Sequence, residues 1–326
     1  MSLALRPPIK PQLALSRKEL PTGEGYSYEV KLDGFRCLAF VDGDDVFLQS
    51  RSGKPLGRYF PELVLPAGHY VLDGEIVVRD GGGHEDFDAL GQRIHPAGSR
   101  VQRLSRETPA IYVAFDLLAR EGESLLERAF SERRGALERL LGERAFAGAP
   151  IELMESTPDA ARAGRWLDDA EGAIAKDRAA PYLPGERRGM VKVKRVRTID
   201  AVVVGWRPGK EPDTVGALIL GLYDREDASG GEGRLRVVGH CSGLRASEKR
   251  RLVSFLAPYG TGERGTADPS RWSAGRDLEW VALRPELVVE IDFDHTSAGR
   301  IRHGAKLRRW RDDKSPLECT FDQLSS

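Results

Sequence analysis

The chain has 326 residues, 40% hydrophobic and 31% charged, with 50 basic and 50 acidic side chains that leave no net charge. This length suggests two domains, the composition excludes a disordered chain, and no apolar run reaches the ~18 residues of a membrane span. Cys37, Cys241 and Cys319 are odd in number and form no C-x-x-C pair, which argues against disulfides and a thiolate zinc site.

The start, MSLALRPPIKPQLAL, is broken by Pro7, Pro8 and Pro11 and lacks a signal-peptide core, so a cytoplasmic protein is expected. Residues 26–50 read as a strand hairpin. In YSYEVKL, Tyr26, Tyr28, Val30 and Leu32 alternate with Ser27, Glu29 and Lys31, and CLAFV meets VFL through Asp42-Gly43. Further strands are predicted at YVLDGEIVV and IYVAFDLL, then a late pair at GAIAK and MVKVK. Between them, Ser131 is the predicted cap of a helix that Gly142 ends, and a second helix follows Thr157-Pro158 and carries Trp166 and Leu167. After about residue 198, AVVVGW, GALILGLY, LRVVGHC and ELVVEIDF are spaced as in a small β-barrel. There Ser247 is the predicted cap of SEKRRLVSFL, and DREDASGGEG reads as a surface hairpin loop. The domain boundary is placed at Arg195–Asp200, where a polar, charged stretch separates two strand-rich blocks.

The central chemical signal is Lys31-Leu32-Asp33-Gly34 followed by Arg36. A lysine attacks only as the neutral amine, so work near pH 7 needs neighbouring cations or desolvation to lower its pKa. The same four residues also fit a surface lysine before an ordinary turn, as Asp42-Gly43 illustrates. Leu72-Asp73-Gly74-Glu75 places a carboxylate after a second such turn, suited to a ribose hydroxyl or a hydrated metal, or simply to solvent. Phe115-Asp116 lies in an apolar strand, where the ring suits core or base stacking. Glu171 and Lys176 flank an apolar run. Val191-Lys192-Val193-Lys194 sets two lysines on one strand face, which makes sense if an anion sits between them and solvent. Near the end, Arg300, Arg302, Lys306, Arg308, Arg309, Arg311 and Lys314 crowd a segment opposed only by Asp312 and Asp313, a patch able to neutralise phosphates.

K-x-D-G-x-R, D-G-E, F-D-L-L, E-G-x-x-x-K and K-x-K, in that order, resemble the motif series of covalent nucleotidyltransferases. Arg311-Asp312-Asp313-Lys314 is similar to the R-x-D-K element of a C-terminal OB domain. The likeness is closest to the LigC class of bacterial ATP-dependent DNA ligases. It is carried also by KLDGFRCLAFVDGD, SRSGKPLGRYFPEL, QRIHPAGSRV, SERRGALE and RHGAKLRRWRDDKSPLECTFDQL, from about Pro7 to Leu324.

The resemblance implies an α+β chain. A nucleotidyltransferase (adenylation) domain of antiparallel sheets with flanking helices, residues 1–198, would precede an OB-fold β-barrel, residues 199–326. By the same resemblance Lys31 would attack the α-phosphate of ATP and carry AMP. Glu29 and the Val30 backbone would meet the adenine edge, Phe115 would stack on the base, and Arg36 would hold the nucleotide. Arg51 would reach phosphate, including the 5′-phosphate of a nick. Glu75 would contact ribose or Mg2+, Glu171 would help place Mg2+, and Lys192 and Lys194 would grip the α-phosphate. Arg311, Asp313 and Lys314 would orient the departing pyrophosphate, while Lys176 is given no contact. One departure is Gly189-Met190, where relatives begin the K-x-K strand with an aromatic or larger apolar residue. The implied partners are nicked duplex DNA and a repair polymerase or primase-polymerase, and the implied enzyme is a nucleoid-associated monomer. Two rivals are an RNA ligase or capping-type nucleotidyltransferase, of which the R-x-D-K element opposes the RNA ligase alone, and a silent OB-containing nucleic-acid-binding module, which the intact lysine and carboxylates oppose.

Overall fold

The computed structural model describes residues 3–224, 233–265, 279–297, 299–302 and 304–324. They form two compact units, Met1–Arg195 and Val196–Ser326. No helix among the described residues is long and apolar enough to cross a membrane. All of the predicted loop DREDASGGEG except its two end residues lies outside the described residues.

The first unit contains β1 (Leu15–Ser16), β2 (Tyr26–Val30), β3 (Phe35–Gly43), β4 (Asp45–Ser50), β5 (Gly68–Val78), β6 (Ala110–Arg120), β7 (Glu123–Ser124), β8 (Ile151–Leu153), β9 (Ser156–Thr157), β10 (Gly172–Asp177) and β11 (Met190–Lys194). Its helices are α1 (Phe87–Gln92), α2 (Gly98–Glu107), α3 (Phe130–Leu141) and α4 (Ala160–Asp169). Two sheets result, ordered β1-β11-β10-β2-β9 and β4-β3-β5-β6-β7, with β8 parallel on β6. The central strands β3, β5 and β6 are buried on both faces. Cys37, Ala39 and Val41 face a core shared with Ile76, Tyr112 and Leu137 of α3, while Leu38 and Phe40 pack with Val71 and Leu118 on the other side.

Three sequence expectations are corrected here. Residues 26–50 are not one hairpin, because β2 pairs with β10 and β9 while β3 and β4 pair in the other sheet. Within the β3–β4 hairpin, Asp42 faces Asp45, so the turn centres on Gly43-Asp44, with Gly43 at φ 68°. Asp73-Gly74 is not a turn either; it lies inside β5, beside a register shift against β6.

Both serine caps are also overturned. Helix α3 starts one residue before Ser131, and its first N–H groups are taken by tertiary partners: Phe130 N donates to Ala180 O at 2.9 Å and Ser131 N to Arg178 O at 3.0 Å. In the second unit, α5 (Ala246–Leu256) has Arg245 at its cap position rather than Ser247, and Glu248 reaches back to accept from Arg245 N at 3.3 Å. Gly142 does end α3, and α4 carries Trp166 and Leu167 with Asp159 as its cap.

The second unit holds β12 (Arg197–Pro208), β13 (Val215–Tyr223), β14 (Leu235–Gly243), β15 (Gly260–Gly265), β16 (Trp280–Phe293), β17 (Thr296–Ser297), β18 (Arg300–Ile301) and β19 (Ala305–Trp310). Its main sheet runs β12-β13-β14-β19-β16, and β12 also pairs with β16, which closes the ring around Val202, Leu220, Val238 and Ile291. That closure, with an order that departs from chain sequence at β19-β16, is the five-stranded OB barrel. The chain is therefore α+β, an adenylation-type domain followed by an OB domain.

Candidate active site

The site is built where the two sheets of the first unit meet. In the smaller sheet Glu29 stands opposite Ile174, and Ile174 opposite Lys192. One row on, Lys31 N donates to Gly172 O at 2.9 Å, and Gly172 stands opposite Lys194. Strand alternation therefore puts Glu29, Lys31, Lys192 and Lys194 on one face, with Ile174 between Glu29 and Lys192 and only Gly172 between Lys31 and Lys194. The chain then turns from β2 into β3 through Asp33-Gly34. A Cβ at residue 34 would stand 2.4 Å from Ile76 O and 2.7 Å from Glu75 Cγ. The glycine is needed for close approach to β5, and that approach sets Lys31 beside Glu75.

A cleft of about 440 Å³ opens there, lined among others by Lys31, Arg51, Glu75, Phe115, Arg187 and Lys192. Glu29, Val30 and Arg36 line it as well. Lys192 is held below the ordinary lysine pKa, first by partial burial and then by Lys194, Arg51, Lys31 and Arg187. That crowd of cations around one ammonium is what an anion site looks like when described by its repulsions. Lys31 Nζ donates to Leu32 O at 3.4 Å.

Glu29 is buried, and Lys176 Nζ meets its Oε2 at 2.7 Å. Burial raises the Glu29 pKa, and Lys176 and then Arg134 pull it back. Its Oε1 has no hydrogen-bond partner among the described residues, with Arg134 Nη1 at 3.7 Å. A carboxyl oxygen that lacks a hydrogen bond beside a cleft can accept from an amino group. Lys176 also sits 4.5 Å from the Phe115 ring and donates to Phe115 O at 3.2 Å. Lys176 thus holds two of the predicted site residues, a role missing from its sequence reading.

Arg36 forks Asp73, with Nε to Oδ1 and Nη2 to Oδ2 both at 2.6 Å, and its guanidinium lies 4.3 Å from the Phe115 ring centre. The Tyr182 hydroxyl donates to Asp73 Oδ2 at 2.6 Å and accepts from Gln12 N at 3.0 Å. Asp73 and Tyr182, neither singled out in the sequence, therefore fix Arg36 and the floor of the cleft. The only signal for Asp73 was its place in L-D-G-E. The segment Pro11–Ser16, which forms one wall, gave no signal at all.

Glu75 is half-buried and its pKa is raised to about 7, first by burial, against Arg36 and Lys31, with Asp73 and Asp33 adding to the rise. Carboxylate oxygens of Asp33 and Glu171 lie within 4.8 Å of each other. Glu85, raised by burial and by the same two acids, joins this group. Hard oxygen donors crowded against their own repulsion fit a hydrated divalent cation.

Arg311, Asp313 and Lys314 belong to the second unit, where they form their own network. Arg311 forks Asp313 (2.8 and 2.9 Å), and both Arg311 and Lys314 meet Asp200. The Arg311 hydrogen bonds hold the Asp313 carboxyl down at about 2. The basic C-terminal segment is less exposed in charge than its sequence suggests. Arg308 meets Glu290 and Asp292, and Arg309 meets Glu290.

Residues 11–194 match the ATP dependent DNA ligase domain family, and residues 211–314 match the ATP dependent DNA ligase C terminal region. DNA ligase C1 of Mycolicibacterium smegmatis is 43% identical across the whole of this chain and 96% of its own. DNA ligase C of Mycobacterium tuberculosis is 42% identical over 99% of this chain and 96% of its own. Among solved structures, mycobacterial DNA ligase D complexed with ATP and MES shares 31% identity over 96% of this chain and 98% of its own, at a TM-score of 0.50.

Proposed function

The chain belongs to the ATP-dependent DNA ligases, in the LigC class, and from that premise we propose that it seals nicks in duplex DNA through an AMP carried on Lys31. The observation that supports this most is the placement of Lys31 in one cleft with Lys192, Arg51 and Glu29, whose Oε1 accepts no hydrogen bond among the described residues. The work is DNA repair, done on nucleoid DNA in the cytoplasm by a monomer, with a repair polymerase or primase-polymerase leaving the nicks.

The reaction runs in three transfers. The neutral Lys31 amine attacks the α-phosphate of ATP, the bond to pyrophosphate breaks, and the amine gives up a proton. Next an oxygen of the 5′-phosphate at the nick attacks the same phosphorus, and Lys31 leaves with its proton restored. Finally the 3′-hydroxyl attacks the activated 5′-phosphate and AMP departs. Each step mainly needs charge neutralised in place.

Lys192 and Lys194 supply that at the α-phosphate, and Arg51 supplies it at the 5′-phosphate. Glu29 and the Val30 backbone read the adenine edge, Phe115 packs on the base, and Arg36 holds the nucleotide from its Asp73 fork. Glu75 and Glu171, with Asp33 beside them, would hold magnesium, which would neutralise phosphate charge when bound. Arg311, Asp313 and Lys314 orient pyrophosphate, with the part of the 195–200 segment ahead of β12 as the hinge between domains 1–198 and 199–326.

Incubation with labelled ATP and magnesium is expected to leave one AMP on each chain by intact mass, to be discharged by nicked duplex DNA, with no adduct on Lys31→Ala. Labelling of the alanine variant removes Lys31 as the nucleophile. Equal labelling by GTP moves the reading to a capping-type enzyme, and equal sealing of nicked RNA moves it to an RNA ligase.

A further inference from the structure

We propose that Asp200 is a positioning residue for the pyrophosphate-releasing step, holding Arg311 and Lys314 together as one preformed pair of cations. The proposal rests on the reading that these two side chains orient pyrophosphate.

Asp200 lies near the start of β12, and its residue is 8% exposed. Its Oδ1 accepts from Arg311 Nη1 at 2.9 Å. Its Oδ2 accepts from the same Nη1 at 2.9 Å and from Lys314 Nζ at 2.8 Å. One carboxylate thus spans two cations three residues apart, and Lys314 N donates to Arg311 O at 3.3 Å to close the turn that carries them. Asp313 takes the other edge of the Arg311 fork through Nε and Nη2. The guanidinium is gripped on two sides and cannot rotate away.

The carboxylate is itself clamped. Asp200 N donates to Gln323 Oε1 at 3.0 Å, and Gln323 Nε2 donates to Asp200 O at 3.0 Å. The Gln323 side chain therefore acts as a missing strand neighbour for this one residue. Such a double backbone clamp on a buried acid has a clear consequence for charge placement. Two cations held close repel each other, and a negative group fixed between them offsets the repulsion before any anion arrives. An ammonium has three donors and Asp200 takes one, so Lys314 keeps capacity for a phosphate oxygen without leaving its place. Charge-stabilising donors act best when their orientation is settled in advance. Asp200 settles it here, and it needs no contact with the nucleotide to do so.

The test measures the full-length enzyme in two separate reactions, single-turnover adenylation by ATP and magnesium, and sealing of a nick already carrying AMP on its 5′-phosphate. Asp200→Ala is expected to lower the maximal adenylation rate by about 10²-fold, the usual cost of losing a preorganised donor, and Asp200→Asn by about tenfold. Sealing of the pre-adenylated nick should stay within about threefold in both. Gln323→Ala keeps the carboxylate and loses the clamp, so it should show a smaller loss in the same step. If Asp200→Ala does not fold, the asparagine and Gln323 variants carry the same measurement. Equal losses in both reactions, or none in either, overturn the proposal and leave Asp200 a purely structural acid. Arg311→Ala is run alongside. If it spares adenylation, the pyrophosphate reading itself is wrong; if it impairs adenylation while both Asp200 variants do not, only the role of Asp200 falls.

Discussion

Glu75 has a carboxyl lifted to about 7 because it is sunk beside Asp73 and Asp33, and the nearby Arg36 and Lys31 only partly oppose the rise. Below that value it is protonated and a poor ligand. Magnesium-dependent adenylation should therefore climb as pH rises through about 7, and the part of the climb due to this residue should vanish in Glu75→Gln, which is measured by single-turnover rates across pH 5.5–8.5, on the order of one and a half units either side. The sign for stability is opposite. A carboxyl raised on folding favours the folded state below its ordinary value of 4.5, and loses that advantage as pH rises through about 7. Without metal, the melting temperature of wild type relative to Glu75→Gln should fall over that window. A difference that stays flat, or rises, would mean that the carboxyl is ionised throughout.

The two Asp-Gly pairs near the start of the chain look alike in sequence and do different work in the fold. Gly43 sits at φ 68° in the β3–β4 turn, where a side chain costs about 1 kcal/mol of left-handed strain. Gly34 has no such φ, but a Cβ there meets the Ile76 backbone oxygen at 2.4 Å, which cannot yield. Gly43→Ala should lower the melting temperature and leave adenylation intact. Gly34→Ala should push Lys31 out of line, with adenylation down by about 10²-fold, as misplacements near 1 Å produce. Comparable adenylation in the two variants would unseat Gly34 as the mount. Most strands were legible as short apolar runs, as in Tyr70–Val78 and Ile111–Leu118, which the fold buries on both faces. Which strands pair was not, since Asp33-Gly34 reads like the hairpin turn at Asp42-Gly43 yet carries the chain from one sheet to the other. Helices α1 and α2 gave little signal: their buried apolar residues are Leu90 in one and Val101 and Leu104 in the other. The serine caps failed because backbone groups and Glu248 took the N–H groups first. At the site, Lys31, Glu29 and Lys192 came from motif order, whereas Asp73, Tyr182 and Lys176 act through contacts across the chain that no local pattern announces.

Over the whole molecule charge sums to zero, so attraction to DNA depends on which cations lack acids of their own. The C-terminal run reads as a phosphate-binding patch only while its distant acids are out of sight. Folding brings Glu290 and Asp292 to Arg308 at 3.2 and 3.7 Å, and Glu290 also to Arg309. Arg51, by contrast, has no ion-pair partner among the described residues and lines the cleft. Each phosphate contact made by a cation adds about 0.9 to the slope of log binding against log salt on duplex DNA. Removing Arg51 from the full-length protein should therefore flatten that slope on nicked duplex by about one, whereas Arg308→Ala with Arg309→Ala should change it by less than one. Titrations at four or five salt concentrations read the slopes directly. A fall of about two in the double variant would show that both arginines exchange their acids for phosphates when DNA binds, and the sequence-level picture of a basic patch would then describe the complex better than the fold of the free chain does.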